Sequence, residues 1–408
     1  MPRVFHGWRI VAVALAAQAV TIGLTIIPFG LFTSPLVDEF GLSIAEVQFG
    51  ISAFLLVMAG ASAAVGPLLD RYSIRSLMAL GSVLLSLSFL GMSLASEPWQ
   101  LWLLFGLGAA LGVAFAGPLA ATTVIAKWFN EKRGLAVGVA AMGPHVGGFL
   151  FTPLAGEWIA AFGWRETLQI FAGISILIAP LAWLAVRNSP AEVGQFVDGL
   201  ASAPEKPEVE SDETGWTVSE ILGNRNFWAL ALVIGIVFGV GGGWGANAPR
   251  FGEDLGYSVQ HMSVLIGIGA GLGIPGTLCF GYLADRFDNG WLIRIVISLQ
   301  IISFITLASL PGETLFTGAI LLFGLAGGGL LPTYASFIGR LFGPASFGSV
   351  MGLAGLVGLP FVGLAPIVAG SIRDSSGSYV GALIAFTITL GLGVAGLALI
   401  RDRRAQGR

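Results

Sequence analysis

A single cysteine, Cys279, stands in 408 residues, which excludes an intramolecular disulfide and any metal site built on a cysteine cluster. Histidine is almost as rare. His6, His145 and His261 lie far apart with no ligand spacing, so no metal site is expected. Charge is scarce as well: Asp, Glu, Lys and Arg make up 11% of the chain, where a soluble globular protein averages about 25%. A soluble fold of this length would need far more charge to cover its surface. No basic run occurs and the net charge is −3, so nothing points to nucleic acid. No nucleophile–base pair and no phosphate-cradling glycine loop is visible. The chain therefore reads as neither an enzyme nor an ATP-driven machine, and no cofactor is expected.

What is present is apolar. Hydrophobic residues make up 55% of the chain and glycine contributes 60 positions, a composition suited to closely packed helices in lipid. A spanning helix needs about 20 mostly apolar residues. Twelve such segments are read at 8–33, 44–69, 76–96, 98–126, 134–161, 164–187, 226–251, 259–284, 290–311, 312–340, 347–371 and 377–400. The apolar segment near the amino terminus exceeds a signal-peptide core and is followed by further spans, so it is read as an uncleaved first helix. Residues 188–225 carry Pro190, Pro204, Pro207 and an acidic run from Glu205 to Glu213, the composition of a flexible linker, with a short surface helix expected near Thr217 to Leu222. The expected organisation is a six-helix bundle over 1–187, a cytoplasmic acidic linker over 188–225 and a second six-helix bundle over 226–408. With both termini on the cytoplasmic side, seventeen of the twenty lysines and arginines lie inside, and only Arg165, Arg250 and Arg373 lie outside.

The two halves echo each other. Gly66-Pro-Leu-Leu-Asp70-Arg71 follows the second segment and Gly281-Tyr-Leu-Ala-Asp285-Arg286 follows the eighth. Leu-Leu-Phe-Gly-Leu occurs at 103–107 and again at 321–325. Twelve spans in a repeated six-plus-six arrangement, a polar central linker and cytoplasmic termini resemble the major facilitator superfamily over essentially the whole chain. The resemblance implies an all-α integral membrane fold of two pseudo-symmetric six-helix bundles, located in the cell membrane. It implies a carrier that moves a small-molecule solute by alternating access, with lipid as its surroundings and protons as candidate coupling ions. In that family the loop Gly66-x-x-x-Asp70-Arg71-x-x-x-Arg75 acts as a gate, holding one conformation through charges at helix ends. The loop Gly281, Asp285, Arg286 is its counterpart, without an arginine at the later position. The alternative for both loops is an ordinary topogenic charge cluster.

Several side chains stand out inside the spans. The fifth segment carries Gly134, Gly138, Gly143, Pro144, Gly147 and Gly148. It resembles the Gly-Pro-rich fifth-helix motif of facilitator antiporters, with one residue too many between Gly138 and Gly143. Close helix packing is the alternative reading. His145 is the one ionisable side chain placed deep in a span, where burial is costly, so it either handles a proton or substrate or is a neutral histidine bonded to a carbonyl. Gln18, Thr21 and Thr25 share one face of the first segment. They form either a substrate wall or hydrogen bonds that join helices. In the seventh segment Trp244 and Asn247 share a face after the triple glycine 241–243, and are expected to line a cavity; Arg250 either attracts anions or pairs with Glu253 or Asp254. Thr122, Thr123, Thr333 and Tyr334 follow Pro118 and Pro332 in the fourth and tenth segments. Bending at those prolines is expected to close the inner gate, with Thr122 and Tyr334 as further substrate contacts. Gln300 is expected to be structural.

Gly7-Trp8-Arg9, Phe29-Gly30-x-Phe32, Glu39-Phe40-Gly41-x-Ser43, Lys127-Trp128-Phe129 and Lys132-Arg133-Gly134-Leu135-Ala136 look like the monocarboxylate-porter branch and its bacterial relatives. That resemblance implies transport of a small organic acid, such as a monocarboxylate, with a proton in symport. The departures are specific. Pro28 is followed by Phe29 where porters of that branch carry lysine, and Ala270 and Ile274 stand where they carry Asp and Arg. Two other functions fit the same residues: an efflux pump for amphipathic compounds, and a transporter-like sensor without turnover.

Overall fold

The structure is a computed structural model and describes residues 5–200, 215–343, 346–398 and 400. Among these residues every regular element is helical, and twelve stretches are long and apolar enough to cross a membrane. The first comprises α1 (Gly7–Thr25), a 3₁₀ turn (Phe29–Phe32) and α2 (Thr33–Phe40). It runs past its expected end because Pro28, which lacks an N–H, converts the helix to a 3₁₀ turn instead of ending it. Gly41, with φ +64°, then closes α2 in the left-handed region. The second and third are α3 (Ile44–Arg71) and α4 (Ile74–Ser93). The fourth is assembled from α5 (Pro98–Leu103), a π-helical stretch (Leu104–Ala109), α6 (Ala110–Ala116) and α7 (Pro118–Trp128). The fifth joins α8 (Arg133–Ala141) to α9 (Gly143–Phe162), and the sixth joins α10 (Trp164–Ile176) to α11 (Ile178–Ala185). After the short α12 (Val218–Gly223) come six unbroken helices: α13 (Arg225–Asp254), α14 (Val259–Ala284), α15 (Asn289–Ala308), α16 (Glu313–Phe342), α17 (Phe347–Ser376) and α18 (Val380–Leu397).

Glycine sets the packing in each half. A Cβ added at Gly147 of α9 would lie 2.0 Å from the Ala19 carbonyl oxygen of α1, and one at Gly143 would lie 2.6 Å from that of Leu15. In the other half Gly235 and Gly239 of α13 meet Gly358 and Phe361 of α17 in the same manner. The repeated Leu-Leu-Phe-Gly-Leu also has a structural meaning. Gly106 lets the fourth span approach Ala53 of α3, and Gly324 lets α16 approach Gly269 of α14. A repeat visible as residues is therefore a repeat of helix-to-helix contacts.

The chain forms two compact units, Met1–Gly41 with Phe49–Glu210, and Leu42–Gln48 with Ser211–Arg408. The segment that composition marks as flexible is not uniform. Up to residue 200 it follows a bonded path across the first unit: the Asn188 side-chain oxygen accepts from the Ile74 amide at 2.8 Å, and that of Gln195 accepts from the His6 amide at 3.0 Å. The local polar partners, which composition alone does not display, fix this stretch. The acidic run from Glu205 to Glu213 lies outside the described residues. Beyond it, Thr217 and Glu220 make a reciprocal capping box that starts α12, where a short surface helix was expected. The Thr217 amide and hydroxyl hold the Glu220 carboxyl below the usual carboxylate range.

Candidate functional site

The fourth span is interrupted at Gly117. Its backbone (φ −89°, ψ −143°) leaves the helical region between α6 and α7. Two residues make the break possible. Pro118 has no N–H to offer the Ala114 carbonyl, and it disfavours helical geometry in the residue before it. Glycine is the residue that accepts the geometry left over. An added Cβ would lie 2.6 Å from the Val113 carbonyl oxygen and 3.3 Å from the Thr21 hydroxyl. The Gly117 amide still donates to Val113 at 2.7 Å, and its carbonyl accepts from Ala121 at 3.1 Å, so α7 restarts at once as a new helix.

Beside this break lies a groove of about 330 Å³, lined by Met58 and Ser62 of α3, Val113 and Ala114 of α6, and Pro118, Leu119 and Thr122 of α7. Its wall is mostly apolar. Ser62 donates to the Met58 carbonyl at 2.7 Å and Thr122 to the Pro118 carbonyl at 2.9 Å, so both hydroxyl oxygens keep acceptor capacity. The start of α7 brings a partial positive end to that wall and the end of α6, with the Ala114 carbonyl lacking its Pro118 donor, brings a partial negative one. Helical backbone interrupted inside a membrane is tolerated where it is buried in protein or lines a cavity.

Of the residues expected to bind solute, Thr122 lines this groove. Thr21 supports the break from behind. Gln18, Thr21 and Thr25 are 3%, 1% and 1% exposed, and turn into the first bundle. Thr21 donates to Ala17, Thr25 to Thr21, and the Gln18 amide to the Ala140 carbonyl at 2.9 Å. That last bond has a clear cause. Pro144 cannot serve the Ala140 carbonyl four residues before it, and Gln18 supplies the missing donor at the α8–α9 kink. Of this face, expected as a substrate wall, Gln18 joins α1 to α8, while Thr21 and Thr25 bond back within α1 itself. His145 sits half-buried in the first turn of α9 and does not line the groove.

In the second unit Trp244 and Asn247 are buried inside the bundle. Trp244 is 4% exposed within the hydrophobic core, with its ring 5.6 Å from Phe304 and 5.9 Å from Phe251. The Asn247 amide donates to Gly243 and Pro366, and its oxygen accepts from the Tyr379 hydroxyl at 3.0 Å. Its polar groups are engaged inside the bundle. The open positions of α13 are instead Gly241 and Gly245, where an added Cβ meets nothing within 4 Å. Tyr334 is 3% exposed, and among the described residues its hydroxyl meets no hydrogen-bond partner. Arg250 lies within salt-bridge distance of Glu253 and Asp254, at 3.5 and 3.4 Å, so it takes the paired arrangement.

The loop residues lie at helix ends. Gly66, Asp70 and Arg71 close α3, with Asp70 and Arg71 exposed; the Arg75 guanidinium stacks 4.9 Å over Trp183. Gly281 lies in the last turn of α14, followed by exposed Asp285 and by Arg286 stacked over Tyr282 at 4.1 Å. Arg340 pairs with Asp288 at 2.7 Å in the second unit.

The motifs shared with monocarboxylate porters turn out to be joints. Trp8 packs 5.3 Å from Phe129, so Gly7-Trp8-Arg9 and Lys127-Trp128-Phe129 meet. Glu39 accepts from Arg165 and from the Trp164 indole at 2.5 and 2.6 Å. Phe29 stacks on Phe105 and Phe32 packs against Phe171, around a small aromatic pocket that also takes in Thr25. The break at Gly117, and Met58, Ser62 and Leu119 around it, escaped sequence reading. The one available signal was glycine directly before proline in mid-span.

Comparison with known proteins bears on the whole chain. The family model of the Major Facilitator Superfamily matches residues 12–366. Monocarboxylate transporter 11 of Homo sapiens is 27% identical over 389 residues, covering 91% of this chain and 78% of that protein. The uncharacterized MFS-type transporter YcxA of Bacillus subtilis is 25% identical over 346 residues, covering 80% and 78%. A bacterial homologue of the human lysosomal transporter Spinster, solved in an inward-facing and unoccupied conformation, superposes with a TM-score of 0.77 at 19% identity, covering 97% of each chain. Twelve apolar spans, repeated helix contacts and a family match across most of the sequence place this chain in the Major Facilitator Superfamily, among multi-pass membrane transporters and not enzymes.

Proposed function

We propose that the protein is a secondary transporter that moves a small organic acid of the monocarboxylate class by alternating access, with the groove at the span-four break as its solute contact in the first unit. The groove carries this reading. An apolar wall suits a short hydrocarbon body, and the facing ends of α6 and α7 suit a protonated carboxyl group, which both donates and accepts. The named likeness to monocarboxylate transporter 11 supports the same substrate class. Ser62 and Thr122 accept from a donor on the solute, which suits a carboxylic acid that travels with its proton. The test is uptake of labelled small monocarboxylates into proteoliposomes. Flux for the acids and none for amphipathic cations supports the assignment; the reverse pattern would assign the apolar groove to amphipath efflux.

His145 is the proton-handling candidate of this reading. His145→Ala is expected to flatten the dependence of uptake on pH. An unaltered pH profile removes it from the coupling step. Asp70, Arg71 and Arg75, with Asp285 and Arg286, form the gating set of this reading. Asp70→Asn removes a charge from the end of α3 and is expected to shift cysteine labelling from one side of the membrane to the other. Equal labelling of variant and parent on both sides sinks the gate.

A further inference from the structure

The helix α7 has one broken end and one held end. Its amino end is the break at Gly117. Its carboxyl end is tied from several directions: the Trp128 indole donates to the Arg187 carbonyl at 2.9 Å, and Lys127 Nζ donates to the Leu69 carbonyl at 3.2 Å. The loop that follows α7 is held by one side chain from the stretch after the sixth span. Asp198 Oδ2 accepts from the amides of Asn130 and Glu131 at 3.0 and 2.9 Å, and Oδ1 accepts from that of Lys132 at 3.3 Å. Three consecutive amides facing one carboxylate form an anion cradle filled by the chain's own side chain.

The backbone at Asp198 has φ +58°, a left-handed conformation that aspartate adopts more readily than most non-glycine residues because its short side chain bonds to nearby amides. Gly199 follows at φ +74° and leaves room for the Phe5 ring, which an added Cβ would approach to 3.1 Å. Phe5 in turn packs 5.8 Å from Trp128 and 5.3 Å from Phe129. His6 ties in the same stretch through its amide to Gln195 and its ring to the Ala185 carbonyl at 2.7 Å.

We propose that residues 190–200 are a clasp, in which the Asp198 carboxylate holds the inner end of α7 and sets how readily that helix swings about the Gly117 break. The pacing of turnover rests on the transport reading above; the holding of the loop does not. A helix can pivot at its broken end only if its far end is released, and the three amide bonds to Asp198 must open for the 130–132 loop to move.

The experiment compares the parent with Asp198→Asn, which removes the charge, and Asp198→Gly, which removes the side chain and suits the backbone. Amide hydrogen exchange at Asn130, Glu131 and Lys132 is expected to rise at least about tenfold in either variant, the scale of one charge-assisted hydrogen bond. Movement of α7 is read without any solute, by maleimide labelling of Thr122→Cys in a Cys279→Ser background; labelling is expected to quicken when the clasp is opened. Protection of the three amides that stays within about twofold of the parent overturns the clasp. Faster exchange with an unchanged labelling rate overturns its hold on α7. Because both readouts work on protein without solute, a failure to find the transported acid leaves this test intact.

Discussion

Gly117→Ala cuts solute flux at least about tenfold, while Gly138→Ala leaves it near the parent value. The difference comes from what each new methyl group meets. At Gly138 it finds nothing within 4 Å. At Gly117 it finds the Val113 carbonyl oxygen at 2.6 Å and Val113 Cγ1 at 3.0 Å. A backbone oxygen cannot turn aside as a side chain does, so the last turn of α6 must open or the break must change shape. Overpacking of this kind costs about 1–3 kcal/mol, spent where α7 must move relative to α6. Pro118→Ala approaches the same point from the other side. It returns an N–H to the Ala114 carbonyl and removes the steric bar on helical geometry at 117, so the span tends towards one continuous helix. Both variants are read as initial uptake rates in proteoliposomes, normalised to folded protein. Parent-like rates in both would show that the break is not a working hinge.

The contrast between the fourth and tenth spans shows what the sequence reveals and what it conceals. Both carry a mid-span proline followed by threonine, and equal bending at the two is the natural expectation. Only Pro118 ends a helix; α16 runs through Pro332 from Glu313 to Phe342. The residue in front permits the break without compelling it: Gly117 adopts ψ −143° before Pro118 and Leu331 stays helical before Pro332, yet α3 also runs unbroken through Gly66-Pro67. The twelve spans were legible because apolar length survives any rotation of a helix. Which face of a span turns inward was not. Gln18, Thr21 and Thr25 were correctly placed together on one face of α1, yet period alone does not say whether that face meets a neighbouring helix or a groove. Trp244 and Asn247 show the same ambiguity: their shared face packs into the core of the second unit. The better guide on α13 is another edge, at Gly241 and Gly245, where small residues leave space unfilled. Asp198 was invisible for another reason. Its partners are backbone amides 66 to 68 residues earlier, and backbone donors leave no trace in residue identity.

Gly147→Leu is expected to leave no folded protein to assay, and the reason separates two meanings of the glycine motif in the fifth span. Its Cβ would sit 2.0 Å from the Ala19 carbonyl oxygen and 2.9 Å from the Ala19 Cα, and Gly23, one turn further along the same face of α1, packs against Gly147 as well. Neither neighbour is a flexible side chain, so α1 and α9 would have to part. In lipid nothing but close packing and hydrogen bonding holds such helices together. Separation also strands the Gln18-to-Ala140 bond, and the loss exceeds about 3 kcal/mol once both effects combine. Gly134 and Gly138, in the same motif, face open space. Alanine at either site adds helix propensity worth up to about 1 kcal/mol, so thermal unfolding of the purified protein in detergent is expected at or above the parent temperature. If the motif serves packing, damage follows the distance to α1: severe at 143 and 147, absent at 134 and 138. If it serves coupling as the antiporter likeness implies, Gly138→Ala abolishes proton-driven uptake in a protein that melts normally. That single result would move the motif from architecture to mechanism.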